Sequence, residues 1–413
     1  MSNSRRTLTE SEALLARAQR VVPGGVYGHQ SPRMVVAGAH PYFFERADGS
    51  RVWDVDGNEY IDLMCSYGPI VLGHRHPKVE AAVREQMLRG DCFNAPTRLW
   101  VELAERLVDI TPFADWAAFA KNGSDVCTWA VEVAREFTGR RKVVKAEGAY
   151  HGAHAWCTPA PAGVTPEDTA HVLTFQYNDL DGLHAVVDAH ADDVAAIIVS
   201  PFRHDAFHDQ ELPVEGFLPG IRRLCDQRGI VLILDDVRAG FRLHLGGSGE
   251  RFGVRPDLAC YAKALANGYP LSACLGREPL KAAAERVYFT GSYFTSAVPM
   301  AAALACLEEL ETCGGIAHME RMGLLLQRGM EAQAASHKIG IVYSGPPALP
   351  FMSFKDDVKF AHSRRFAAAC AEGGVYLAPY HNWFVSAAHT EGDMARVLEV
   401  TDEAFARLAR QRD

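Results

Sequence analysis

The chain has 413 residues, 48% of them hydrophobic and 23% charged, with a formal net charge of -9. That size and balance suit a soluble enzyme with one large α/β domain and a smaller one, and the acidic excess argues against nucleic acid or an anionic membrane as the main partner. No stretch nears the roughly 18 apolar residues that span a bilayer, and ten cysteines stand singly with no C-x-x-C pair, which points to reduced thiols in a cytoplasm.

The opening MSNSRRTLTESEALLARAQR carries charges but no apolar core, so it reads as an amphipathic helix rather than a signal peptide. Residues 42–63, YFFERADGSRVWDVDGNEYIDL, alternate apolar and polar around the turn pairs Asp48-Gly49 and Asp56-Gly57, which predicts a small antiparallel meander. PKVEAAVREQMLRG then has helical spacing. WAAFA (116–120) is a short buried strand, and DVCTWAVEVAREFTG is a helix closed by Gly139. RKVVKAEG, VAAIIVS, GIVLILDD and LACYAKAL read as further strand ends, separated by helices such as GFLPGIRRLCDQRG. Strands alternating with helices predict a mostly parallel sheet flanked by helices. After the helix AVPMAAALACLEELE the pattern mixes helix and strand. With no repeat or low-complexity linker, the predicted domains interweave: residues 1–65 join a smaller α+β domain, 66–311 form the large one, and 312–413 complete the small one.

Four places along this frame carry chemistry. Asn122-Gly123-Ser124 links a strand to a helix, which aims backbone N–H groups and a helix dipole at one point and suits a phosphate, or else merely caps the helix. In EGAYHGAH, Tyr150 follows a strand end, where an aromatic can stack on a flat cofactor or simply pack under a loop. GIVLILDDVRAGF ends an aliphatic run in Asp235 and Asp236; ligands gather at such strand ends, so the acids either face a ligand or solvate the terminus. Lys263 stands among apolar residues, where desolvation would lower its pKa as a Schiff-base lysine requires, unless it snorkels to the surface. Metal-like spacings, His204 with His208 and His151 with His154, lack a helical face or a cysteine pair, and no metal is expected.

As an ordered set, with the lysine 27 or 28 residues past the acids, these features resemble a class III pyridoxal-phosphate-dependent aminotransferase of fold type I, nearest the glutamate-1-semialdehyde aminomutase branch. VWDVDGNEYIDLMCSYGPIVLGHRHP, AREFTGRRKVVKAEGAYHGAH, LILDDVRAGFR and AKALANGYPLSA carry the resemblance, which runs from RAQRVVPGGV to FVSAAHTEGD. It implies a pyridoxal 5′-phosphate cofactor. Asp235 is then the aspartate that pairs with the pyridine nitrogen, keeping the ring an electron sink. Lys263 is the lysine that binds the aldehyde and afterwards carries a proton between the substrate α-carbon and cofactor C4′. Gly123 and Ser124 match the phosphate loop, with Asn122 replacing a small hydroxyl residue, and Tyr150 matches the stacking aromatic. Ser292, in TGSYFTSAVPM, falls where the family has a threonine reaching the neighbouring subunit's phosphate, which implies a homodimer with active sites at its interface.

The chain also departs from the family. Ser200-Pro201 replaces a common Glu-Pro, and Asp236 stands where glutamate is common. Asp205 aligns with an asparagine near the cofactor's phenolic oxygen. Tyr67 replaces a tryptophan of the aminomutase branch and would alter the substrate pocket, while Arg33 lies near a substrate-carboxylate arginine. The resemblance implies transfer of an amino group from an amine or amino acid to a 2-oxo acid or aldehyde. The alternatives are an isomerase of the same branch, either an aminomutase such as glutamate-1-semialdehyde 2,1-aminomutase or an amino-acid racemase, and a non-catalytic cofactor-binding protein.

Overall fold

Two compact units emerge in the computed structural model, which describes residues 6–190 and 192–410. One holds Pro77–Asp205 and Glu211–Ile316; the other holds Met1–His76, Ala206–Gln210 and Ala317–Asp413.

The second unit begins with a helix, Thr9–Ala18, shorter than the predicted one, whose first five residues lie outside the described residues. Strands β1 (Phe44–Asp48), β2 (Arg51–Asp54) and β3 (Glu59–Asp62) form the expected antiparallel meander. Its turns use Gly49 (φ 53°) and Gly57 (φ 84°), the left-handed backbone that Asp-Gly pairs supply without steric cost.

The first unit is built on seven strands: β4 (Trp116–Ala120), β5 (Lys142–Ala146), β6 (Val172–Phe175), β7 (Val194–Val199), β8 (Val231–Asp235), β9 (Leu258–Tyr261) and β10 (Ser272–Gly276). Their order is β4-β10-β9-β8-β7-β5-β6, with parallel pairing from β9 through β8, β7 and β5 to β6. β10 runs antiparallel to both its neighbours. The chain between β9 and β10 is too short for a helical crossover, so β10 must run back along β9. The helix Gly123–Thr138 packs on the sheet through Ala130, Val133 and Ala134, against Ile198, Ile233, Leu258 and Cys260. Each fully buried valine, leucine or isoleucine contributes about 1.5–3 kcal/mol. Gly139 (φ 68°) ends that helix, its N–H reaching the Arg135 carbonyl at 2.8 Å.

The second unit is completed by the ribbon β11 (Ile341–Ser344) and β12 (Phe351–Phe354), and by β13 (Val375–Tyr376), which adds in parallel to β3. Asp393, near the start of helix Glu391–Ala409, accepts from Ser50 Oγ at 3.0 Å and Arg51 Nη2 at 2.8 Å, fastening that helix to the meander. The short piece Ala206–Gln210 packs here as well: Phe207 N–H donates to the Tyr380 carbonyl at 2.9 Å, and Gln210 Nε2 to that of Leu349 at 2.7 Å. Among the described residues no helix is long and apolar enough to cross a membrane.

Candidate active site

The carboxylates of Asp235, the last residue of β8, and Asp236, just past it, point in opposite directions, as alternation along extended backbone requires. Asp235 Oδ2 lies 2.7 Å from His151 Nδ1, and its Oδ1 accepts from Val237 N–H at 3.1 Å. A carboxylate only accepts, so Nδ1 carries the hydrogen of the first bond. Asp236 points away and takes both the Ser248 N–H, at 2.7 Å, and the Ser248 hydroxyl. Burial pushes the Asp236 carboxyl up to about 7. With exposures of 5% and 1%, neither acid solvates the strand end, and only Asp235 is turned toward the other candidate residues.

Lys263 opens the short 3-10 turn Lys263–Ala266 after β9, with its backbone in the left-handed region at φ 42°. A side-chain-bearing residue is strained there, and such strain persists where surrounding structure over-determines it. Part of the residue is open to solvent, while its amine is densely surrounded by protein. Burial, followed by the nearby Arg238 guanidinium, lowers the amine from its usual value to about 7, against the opposing pull of Asp235.

Asn122 caps the helix Gly123–Thr138, its backbone N–H donating to Asp125 Oδ2 at 2.8 Å. Ser124 Oγ accepts from Ala153 N–H at 3.0 Å and also bonds the Tyr150 side chain. The loop is closely fitted: a Cβ on Gly123 would sit 2.9 Å from Val237 Cγ1, and one on Gly152 (φ +131°) would sit 2.7 Å from Ser124 Oγ. These contacts gather the loop, Tyr150–Gly152 and the end of β8 into one cluster. Just before the loop, the Lys121 amine lies within electrostatic reach of Asp91. The dipole-positive end of a helix, with its first-turn N–H groups, fits a phosphate. The buried acid–imidazole pair fits a ring nitrogen and the enclosed amine fits an aldehyde, so the residues present suit pyridoxal phosphate.

Of the remaining predicted residues, Asp205 lies within electrostatic reach of Arg238, beside this cluster. Asp205 accepts from Arg203 Nε at 2.8 Å, and the same guanidinium holds Glu211 at 2.6 Å. The carbonyls of Ser200 and Pro201 accept from the Tyr177 hydroxyl at 3.4 and 3.0 Å. Ser292 is exposed in the turn before Ser296. Arg33 and Tyr67 belong to the other unit. Arg33 is exposed in a short 3-10 helix, whereas Tyr67 donates its hydroxyl to the His29 carbonyl at 2.6 Å. Tyr67 also lines, with Phe44, Met64, His74 and Tyr376, a cavity of about 380 Å³.

Two residues escaped the sequence reading. His151 stands beside Tyr150 after a strand end and in a metal-like spacing, but neither signal points to Asp235, 84 residues away. Arg238 drew no attention in DDVRAGF, although a guanidinium in so apolar a stretch was itself a signal.

A mostly parallel sheet with an acid at the tip of β8 and an enclosed lysine after β9 defines a pyridoxal-phosphate-dependent transferase of fold type I. The class-III aminotransferase model matches residues 34–393, and the chain belongs to that family. It is 45% identical over 402 residues to the aminopentol aminotransferase of Sphingopyxis macrogoltabida, covering 97% of this chain and 95% of that one. It is 35% identical over 406 residues to the 3-aminobutyryl-CoA aminotransferase of Cloacimonas acidaminovorans, covering 97% and 98%. The solved PLP internal aldimine form of the Sphingopyxis sp. MTA144 FumI protein superposes with a TM-score of 0.96 at 45% identity, covering 97% of each chain. The chain is thus a pyridoxal-phosphate-dependent aminotransferase that moves an amino group from an amine or amino acid to a carbonyl acceptor.

Proposed function

We propose that Lys263 is the cofactor-linking lysine and the proton carrier, and that Asp235, backed by His151, pairs with the pyridine nitrogen. The observation that carries this reading is an enclosed amine, brought down to about 7 by burial, within electrostatic reach of a buried acid that is itself held by an imidazole at 2.7 Å. When bound, the cofactor supplies an electron sink for charge developing at the substrate carbon. Asp235 holds the proton on the ring nitrogen, and His151 fixes the carboxylate's orientation. Lys263 Nζ, neutral over much of the physiological range, takes the proton from the substrate carbon and returns it at C4′. Asn122, Gly123 and Ser124 would hold the phosphate, Tyr150 would cover the ring, and Asp205 would serve the phenolic oxygen.

For the donor, we propose an amine whose amino-bearing carbon carries no carboxylate. The substrates named for the two relatives, aminopentol and 3-aminobutyryl-CoA, share that property, and Ser200 in place of a glutamate is consistent with altered handling of substrate charge. The working form is a homodimer in which Ser292 reaches the neighbouring subunit's phosphate. Supporting this, Met87, Leu88, Phe93, Tyr288 and Tyr293 are exposed on one unit, and Asp91 ties the two stretches that carry them by accepting from Ser296 Oγ at 2.6 Å. Ten cysteines without a disulfide support a cytoplasmic setting.

The test is a half-reaction screen. Holoenzyme is mixed with simple amines, β-amino compounds and α-amino acids, and conversion of the cofactor absorbance to its amine form is followed. Amines lacking an α-carboxylate should convert it fastest. Conversion by α-amino acids alone would overturn the donor assignment.

A further inference from the structure

The second unit holds a cavity of about 240 Å³ between the piece Ala206–Gln210, β12 and the turn that leads into helix Ala361–Glu372. Phe207, Phe351, Phe354 and Phe360 line it together with the acids Asp209 and Asp357. Two of those rings are placed at a cost to folding. Phe207 is 46% exposed, which leaves much of an aromatic side chain in water. Its backbone, φ 68°, and that of Phe360, φ 57°, both lie in the left-handed region, where a bulky side chain is strained. Neighbouring structure holds them there. Phe207 N–H donates to the Tyr380 carbonyl at 2.9 Å, and its ring stacks on that of Tyr380 with centroids 5.2 Å apart. Phe360 meets Phe207 at 5.8 Å and 70°, and meets Tyr380 edge-on at 5.4 Å. The two lining rings therefore stand nearly perpendicular, as adjoining walls do, each braced by Tyr380.

The acids decide the sign of the occupant. Asp209 Oδ1 accepts from Ser353 Oγ at 2.6 Å. Asp357 accepts from His362 N–H and Ser363 N–H, each at 2.8 Å, and from the Ser363 hydroxyl at 2.7 Å. Those partners are uncharged, so they orient the carboxylates without neutralising them. An anion would be repelled here, and a neutral apolar ligand would strip water from two acids without replacing it. A cation meets both kinds of wall, because the face of an aromatic ring attracts positive charge through its quadrupole. We propose that this cavity binds the alkylammonium group of a small organic cation, its methyl or methylene groups against Phe207 and Phe360 and its charge beside Asp209 and Asp357. The size agrees: about 240 Å³ is less than the roughly 300–1,000 Å³ of a pocket for a drug-sized ligand, and suits an ammonium head with a short tail. The site shares no residue with those assigned to the cofactor, so it stands or falls independently of Lys263.

The probes are choline and 3,3-dimethylbutan-1-ol, which share a shape and a hydroxyl and differ in charge. Choline carries no N–H, so it cannot react with the cofactor's aldehyde. Each is titrated into holoenzyme and read by ligand-observed NMR through its methyl signal. Choline should bind about tenfold more tightly than the alcohol. Phe207→Leu and Phe360→Leu keep apolar bulk and remove a ring face, and each should weaken choline by about fivefold while leaving the alcohol nearly unchanged. Asp209→Asn should weaken choline by about two- to fivefold. Absence of choline binding, equal affinity for the two probes, or choline binding unchanged in Phe207→Leu overturns the proposal. Should Phe360→Leu fail to fold, Phe207→Leu still decides, because an exposed side chain can be shortened without emptying the core.

Discussion

His151 Nδ1 and Asp235 Oδ2 lie 2.7 Å apart with both side chains buried, joining the turn after β5 to the tip of β8. A charge-assisted bond of this kind contributes about 1.5–3 kcal/mol. His151→Ala should therefore weaken cofactor retention and slow the half-reaction by about 10–100-fold. His151→Asn, able to donate one bond, should recover part of the loss. Equilibrium dialysis with absorbance detection measures the first quantity and single-turnover kinetics the second.

Lys263→Ala should bind the cofactor without a covalent link and abolish turnover. On the proposed role the base of the unaltered enzyme is the neutral amine, so the single-turnover rate should climb as pH rises through about 7 and then level off. A stopped-flow pH series reads this directly, and a rate that falls across that window would contradict the role.

Gly152→Ala should loosen the phosphate loop. Its backbone sits at φ +131°, and the new methyl would lie 2.7 Å from Ser124 Oγ and 2.8 Å from Ser124 Cα. Strain at such a position costs about 1–3 kcal/mol, seen as a lowered melting temperature together with weaker cofactor binding.

Asp236 should act on stability rather than on chemistry. Its folded-state pKa, about 7, is above the unfolded value, so its contribution is fully present at low pH and is lost as pH rises through about 7. Asp236→Asn should flatten that decline in a melting series from pH 5 to 8. Asp236→Ala, which leaves the buried Ser248 groups unpaired, should cost about 1–3 kcal/mol at either end.

Leu88 is 90% exposed. Leu88→Glu should shift the proposed dimer toward monomer in sedimentation velocity and release cofactor in parallel. Ser292→Ala should weaken phosphate binding without changing the assembly.

How far the sequence went follows from the range of each determinant. The meander was legible because its Asp-Gly turns act locally, and β8 because four aliphatics followed by two acids form one contiguous signal. The sequence did not reveal that those two acids part company, since that depends on Ser248 and His151, both distant along the chain. β10, Ser-Ala-Cys-Leu-Gly, has no run of large aliphatics, and β6, Val-Leu-Thr-Phe, is only four residues long and interrupted by a threonine. The detour at Ala206–Gln210 is a tertiary choice made by Tyr380 and Leu349. Asn122, Gly123, Ser124, Tyr150, Asp235 and Lys263, the residues proposed for the site, stand out through their order along the chain, whereas Arg238 is placed beside them by three dimensions alone.

The left-handed backbone at Lys263, φ 42°, makes glycine the residue that this position would choose on conformational grounds. A chain with glycine there sheds both torsional strain and an enclosed amine, so it should outlast the working enzyme on heating while doing no chemistry. On the role proposed for it, this lysine serves the chemistry of its amine at the expense of a sturdier turn.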